Sequence, residues 1–284
     1  MSLIKLPEIK ADFRLNSAQF DLRPDALERW MPDVIAAADN DNSISIYEPI
    51  GEDWWTGEGV TAKRISAALR SIGEKDVQVN INSPGGDLFE GVAIYNLLRT
   101  HKGKVTVNVL GIAASAASVI AMAGDEILMG DGAFLMIHNA WAYAVGNRHD
   151  MLEASERLEP FDMAMADVYS QRSGISKDEI VSMMDKETWI NSHDAVEDGF
   201  ATGYLEQDKI TQNTEASQNR KPLAIVEAAM AKAGHSRTFR RETLKELFTG
   251  NTPGAVTKAM PCAGNEAADL LRSIKLFNKE IKGA

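Results

Sequence analysis

Three short stretches of this sequence combine residue types that acyl-transfer chemistry uses. The first is Ile81-Asn-Ser-Pro-Gly-Gly-Asp87. Adjacent glycines let backbone approach a substrate closely and leave N–H groups free to donate, although a plain tight turn accounts for the same residues. The second is Gly111-Ile-Ala-Ala-Ser115-Ala-Ala-Ser118. A serine where a strand ends and a helix begins lies in the field of the helix N-terminus, and the next N–H, from Ala116, can face an oxyanion. A serine that only packs and caps the helix has the same signature. Ser118, one turn further in, is expected to be buried. The third is His138, closing the apolar run Phe134-Leu-Met-Ile; a histidine there serves either as a base or as a structural core residue. His101, His149, His193 and His235 all lie in charged or loop-like contexts.

Other chemistries lack their residues. The lone cysteine, Cys262, has no neighbouring histidine and cannot build a CxxC zinc site, and there is no HExxH helix. The SPGGD glycines form neither GxGxxG nor a Walker loop, and no GxSxG elbow occurs. No metal and no organic cofactor is expected.

The elements that must position these residues alternate. Ser43–Gly51 reads as a strand and Thr61–Ile72 as a helix capped by Thr61 and stopped at Gly73. Val77–Ser83 is a second strand, Leu88–Arg99 a helix and Val105–Gly111 a third strand. Ala114–Ala123 then reads as a helix of small residues, with short strands at EILMG and FLMIHN. That order predicts an α/β fold with a substantially parallel sheet. Asp150–Arg172 reads as a long helix with a bend at Pro160. Ser176-Lys-Asp-Glu179 opens another helix, Asp194–Asp198 is a short one, and ATGYLE is a last strand. Before residue 40 there is one helical pattern, Ala26–Ala38, broken by Pro32. Residues 206–222 read as a linker, and helices follow at Leu223–Ala233, Thr238–Phe248 and Glu266–Lys282.

Composition is that of a globular protein, with 44% hydrophobic and 25% charged residues among 284. One cysteine requires no oxidising compartment, and the N-terminal residues lack the apolar core of a signal peptide, so a cytoplasmic location is expected. Val105–Gly124 carries no charge over twenty residues, but its period-two start and small-residue end fit a buried strand and helix better than a membrane span. The net charge of −11 is uneven. Residues 220–284 hold 12 Lys and Arg against 6 Asp and Glu, so the preceding 219 residues carry −17. An acidic body argues against nucleic acid as a partner. The basic tail could dock on an acidic surface, including another copy of the body.

Taken together, INSPGG, then GIAAS, then LMIH resemble the Clp protease proteolytic subunit family. The likeness continues through YSQRSGIS and ETWINSHDAVEDGFATGYLE and spans about residues 44–207. It implies a ClpP/crotonase-like spiral of β-β-α units and a serine endopeptidase. Ser115 would be the nucleophile, His138 the general base, and the N–H groups of Gly86 and Ala116 the oxyanion hole. Family members commonly place Asp where this chain has Glu187, so Glu187 is the expected third member and Asp185 the competing acid. The boundaries implied are an N-terminal extension (1–42), the peptidase domain (43–207), a linker (208–222) and a basic helical C-terminal extension (223–284). The wording of INSPGGDLFEGVAIYNLLR and AASAASVIAMAGDEILM is most similar to the ClpP-like head-maturation proteases of phages and prophages. That resemblance implies capsid or scaffold proteins as substrates, in the bacterial host cytoplasm or inside a procapsid.

Other readings stay open on the residues alone. A housekeeping subunit would need a Clp-type ATPase as partner. A crotonase-type acyl-CoA enzyme would keep the paired N–H groups without needing Ser115 and His138 together. A non-catalytic assembly protein would keep only the fold. The long helix after His138 and the apolar stripe of Glu266–Lys282 predict self-association, and the resemblance adds that family members form rings.

Overall fold

The structure, a computed structural model, describes residues 19–20, 23–37, 41–52, 59–144, 146–212 and 220–248. The chain divides into two compact units, residues 1–241 and 242–284. The first elements are β1 (Gln19–Phe20), α1 (Pro24–Arg29), β2 (Val34–Ala36), β3 (Ser43–Ile46), β4 (Gly51–Glu52), β5 (Gly59–Val60) and α2 (Ala62–Ile72). The central ones are β6 (Val77–Ser83), α3 (Leu88–Arg99), β7 (Val105–Ala114), α4 (Ala116–Ala121), β8 (Glu126–Met129), β9 (Phe134–Ile137) and β10 (Ala142–Tyr143). Then come α5 (Arg148–Ser173), α6 (Lys177–Asp185), β11 (Thr188–Asn191), α7 (Ser192–Glu197), β12 (Gly203–Tyr204), β13 (Ile210–Gln212), α8 (Arg220–Lys232) and α9 (Arg237–Phe248).

The main sheet runs β11-β9-β7-β6-β3, with β8 on β7 and β12 on β8. All these pairs are parallel except β11 on β9. β6 and β7 are buried along nearly their whole length because both faces are covered, and only Gln78 of β6 is exposed. β7 is long enough to change neighbours. Thr106–Val109 pairs with β8, while Ile112–Ala114 pairs with β9. That switch sets the C-terminal ends of β6, β7 and β9 side by side, with Ser83 opposite Ala113 and Ala114 opposite Met136. Open α/β sheets place their chemistry at such ends.

The helix stops and starts follow their local chemistry. Thr61 accepts from the Arg64 N–H at 3.2 Å, and Gly73 closes α2 at φ 78°. Asp87 accepts from the N–H groups of Phe89 and Glu90 at 2.9 and 3.1 Å, which fixes where α3 begins and so where the SPGG turn must end. Every residue of α4 is buried. Its small side chains allow close packing on α3, where a Cβ on Gly91 would lie 2.9 Å from the Ala116 Cβ.

The uncharged stretch Val105–Gly124 is β7 followed by α4, and among the described residues no helix is long and apolar enough to cross a membrane. α5 runs through Pro160. Two expectations need correction. Ala26–Ala38 is not one interrupted helix: α1 ends at Arg29 and Val34–Ala36 is a strand, because β-branched Val34 and Ile35 find a partner strand. That partner is β13, inside the expected linker, with Ile210 opposite Ala36. Tertiary pairing decided what two short, ambiguous segments could not decide alone. The expected helix Glu266–Lys282 lies outside the described residues.

Candidate active site

Ser115 follows β7 directly and sits at the N-terminus of α4, yet its side chain makes no capping bond. Its hydroxyl instead lies 2.7 Å from Nε2 of His138. The backbone there has φ 55° and ψ −125°, a conformation that costs a non-glycine residue roughly 1–3 kcal/mol and persists only when its surroundings impose it. They do so from both sides. The Ser115 N–H donates to Met136 O at 2.9 Å, and the Ser115 carbonyl accepts from the Ser118 N–H at 2.9 Å and the Ser118 hydroxyl at 2.7 Å. Ser118 is fully buried and also bonds the Tyr169 hydroxyl at 2.8 Å. It braces the turn and faces no solvent.

The SPGG turn closes in from β6. A Cβ on Gly85 would lie 2.7 Å from the Ser115 Cβ and 2.6 Å from Ala114 O, so only glycine fits. Gly86 has φ 146°, and a Cβ there would meet Ile50 O at 2.2 Å. Ile50 holds the turn like a short extra strand: its N–H donates to Gly85 O at 2.7 Å, and its carbonyl accepts from the Asp87 N–H at 2.9 Å. That bonding leaves the Gly86 N–H over. Among the described residues neither it nor the Ala116 N–H has a hydrogen-bond partner. Two unpaired donors beside a serine hydroxyl are what an oxyanion requires. Gly86→Ala is expected to displace this turn and reduce turnover by about 10²-fold or more, checked by kcat against the thermal midpoint of the same preparation.

His138, just after β9, is buried. Burial lowers its pKa to about 4, the Arg23 charge adds to the fall, and Asp25 opposes it. The ring is therefore neutral at pH 7, as a base must be, and its protonation moves well below the ordinary value near 6.5. The sign for stability follows. As pH falls below about 6.5 the unfolded chain's imidazole takes a proton that the folded one refuses until about 4. Stability from this group is thus present above 6.5 and lost on acidification. The loss between pH 7.5 and 5 is about 2 kcal/mol. Asp162 opposes it, because burial raises its carboxyl pKa to about 6 despite a bond from the Ala140 N–H. The His138 contribution is expected as the difference between wild type and His138→Gln in urea unfolding at the two pH values.

The two candidate acids lie close by, and neither is hydrogen-bonded to His138. β11 runs antiparallel to β9, and the ladder ends with Thr188 opposite Ile137, the neighbours of Glu187 and His138. Glu187 has φ 52° and its carboxylate is held by the guanidinium of Arg23. Asp185 ends α6 and accepts from the Asn139 side chain at 2.7 Å.

Sequence reasoning gave the residues before 31 no part in the site. Arg23 stands over the Trp141 ring at 5.9 Å, and Arg29 over Trp189 at 4.6 Å. The fully buried Trp30 donates to Asn82 O at 3.0 Å, while the Asn82 side chain donates to Met31 O and Val34 O at 2.7 and 2.9 Å. Ala26 packs on Ala114 and Met136, the residues just before Ser115 and close before His138. A tryptophan in an otherwise irregular segment was the available signal.

A serine bonded to a neutral histidine beside free backbone donors, on an α/β sheet, is the arrangement that serine hydrolases use. The sequence pattern of the Clp protease family matches residues 28–208, and the chain belongs to that family of serine-type peptidases. It is 29% identical over 139 residues to the ATP-dependent Clp protease proteolytic subunit of Deinococcus radiodurans, covering 48% of this chain and 68% of that one. It is 30% identical over 159 residues to subunit 1 from Streptomyces coelicolor, covering 55% and 71%. Among solved structures it is similar to a mutant ClpP1 from Listeria monocytogenes, with a TM-score of 0.49 and 23% identity over 58% of this chain and 92% of that one.

Proposed function

We propose that the chain is a serine endopeptidase in which Ser115 attacks a peptide carbonyl. The observation that carries this reading is the 2.7 Å contact between the Ser115 hydroxyl and a neutral, buried His138. Nε2 of His138 takes the hydroxyl proton as the Oγ–carbon bond forms, and the N–H groups of Gly86 and Ala116 hold the oxyanion. His138 then returns the proton to the leaving amine, freeing the C-terminal fragment and leaving an acyl-serine. Water, deprotonated by the same ring, hydrolyses that ester. Glu187 is the acid that orients Nδ1–H and stabilises the imidazolium, and Asp185 is held by Asn139.

The finer role we propose is processing of capsid or scaffold proteins during phage or prophage head assembly, by a ring of identical subunits and without an unfolding ATPase. The wording around INSPGGDLFEGVAIYNLLR supports it, as does the basic helical segment beyond the family match, which ends at residue 208. The names of the curated relatives favour a second reading, an ATP-dependent proteolytic subunit. Labelled casein separates the two. Cleavage without ATPase, unchanged on adding a Clp ATPase and ATP, fits head maturation; degradation that appears only with both fits the second reading.

A further inference from the structure

The segment before α1 lies on the face the proposed chemistry needs. β1 pairs antiparallel with β10, Gln19 opposite Tyr143 and Phe20 opposite Ala142, only a few residues beyond His138. Three residues after β1 the Arg23 guanidinium bonds Glu187, which directly precedes β11 as His138 directly follows β9. The same guanidinium stands over Trp141 and donates through Nε to Asp25 at 3.2 Å. Downstream, Ala26 and Trp30 are fully buried, so the segment is anchored firmly at that end.

We propose that β1 and Arg23 act as an autoinhibitory strap, in which β1 fills the strand position beside β10 and Arg23 holds the Glu187 carboxylate that His138 needs. This rests on the triad reading above. Two observations point to restraint rather than to support of catalysis. The ring of His138 bonds only Ser115 among the described residues, and the Glu187 carboxylate is bonded to Arg23 instead. Arg23 also sets a positive charge where the reaction must create an imidazolium, which opposes the step that Glu187 would assist. The strap is well placed to be released. Arg23 and Glu187 are partly exposed, at 19% and 38%, and an ion pair in such a setting is worth little. The pairing it supports is two residues long. An extended polypeptide pairing along β10 would have to displace β1, so substrate entry and release of Glu187 become one event.

The test is the rate at which a fluorophosphonate probe labels Ser115 in the full-length protein. Arg23→Ala is expected to raise that rate by about tenfold, and Phe20→Pro, which removes a backbone N–H from β1, by several-fold. In the Glu187→Gln background, Arg23→Ala is expected to give no acceleration, because the gain comes from the freed carboxylate. Melting curves confirm folding of each variant. Wild-type labelling rates in folded Arg23→Ala and Phe20→Pro would overturn the strap while leaving the triad intact. So would an acceleration that persists without the Glu187 carboxylate. Absence of labelling in every variant, Arg23→Ala included, would overturn the triad reading and the strap with it.

Discussion

Ser115→Ala is expected to reduce kcat/KM for peptide hydrolysis by on the order of 10⁴-fold or more, with stability nearly unchanged. The size follows from the role. The nearby Ser118 is not placed to take over, because it is fully buried and its oxygen is committed to Ser115 O and Tyr169. The stability expectation follows from the backbone. Ser115 is held at positive φ through its own N–H and carbonyl, which alanine keeps, and its side chain contributes no capping bond. Loss of activity by unfolding would contradict this, and equal thermal midpoints check it. Ser118→Ala is expected to behave in the opposite way. It removes two buried hydrogen bonds and leaves the Tyr169 hydroxyl unpaired, so it costs stability, on the order of 1–3 kcal/mol, while the nucleophile survives.

His138→Ala is expected to cause a loss of the same order as Ser115→Ala, and the double variant to be no worse than either alone. A serine hydroxyl without its base is a weak nucleophile, and the other described histidines, His101, His149, His193 and His235, have no recorded contact with Ser115. Additive losses in the double variant would show that the two residues do not act as one unit. A crotonase-type acyl-CoA enzyme would also give a different pattern, because backbone N–H groups alone would carry its chemistry.

The motifs that carry the site were legible because each sits where an element ends. SPGG follows β6, Ser115 follows β7 and His138 follows β9, so once these strands run parallel all three lie at the C-terminal end of the sheet. The expected bounds Leu88–Arg99 and Val77–Ser83 are those of α3 and β6: in the structure Asp87 caps α3, and Val77, Val79 and Ile81 mark β6. What stayed hidden depends on contacts between distant positions. Arg23 and Glu187 are 164 residues apart, and no local pattern announces their pairing. Val34–Ala36 and Ile210–Gln212 are three residues each, too short for a period to show, and become strands only by meeting each other. The pKa of His138 was out of reach as well, because burial and the Arg23 charge belong to the folded chain.

The central claim is that Ser115 is an activated nucleophile, and intact-mass spectrometry after fluorophosphonate treatment tests it most directly. Wild type, Ser115→Ala and Ser118→Ala are treated in parallel at pH 7.5. A single adduct on wild type and on Ser118→Ala, with none on Ser115→Ala, is the predicted result. An adduct that persists on Ser115→Ala, or none on wild type and on Arg23→Ala alike, would contradict it.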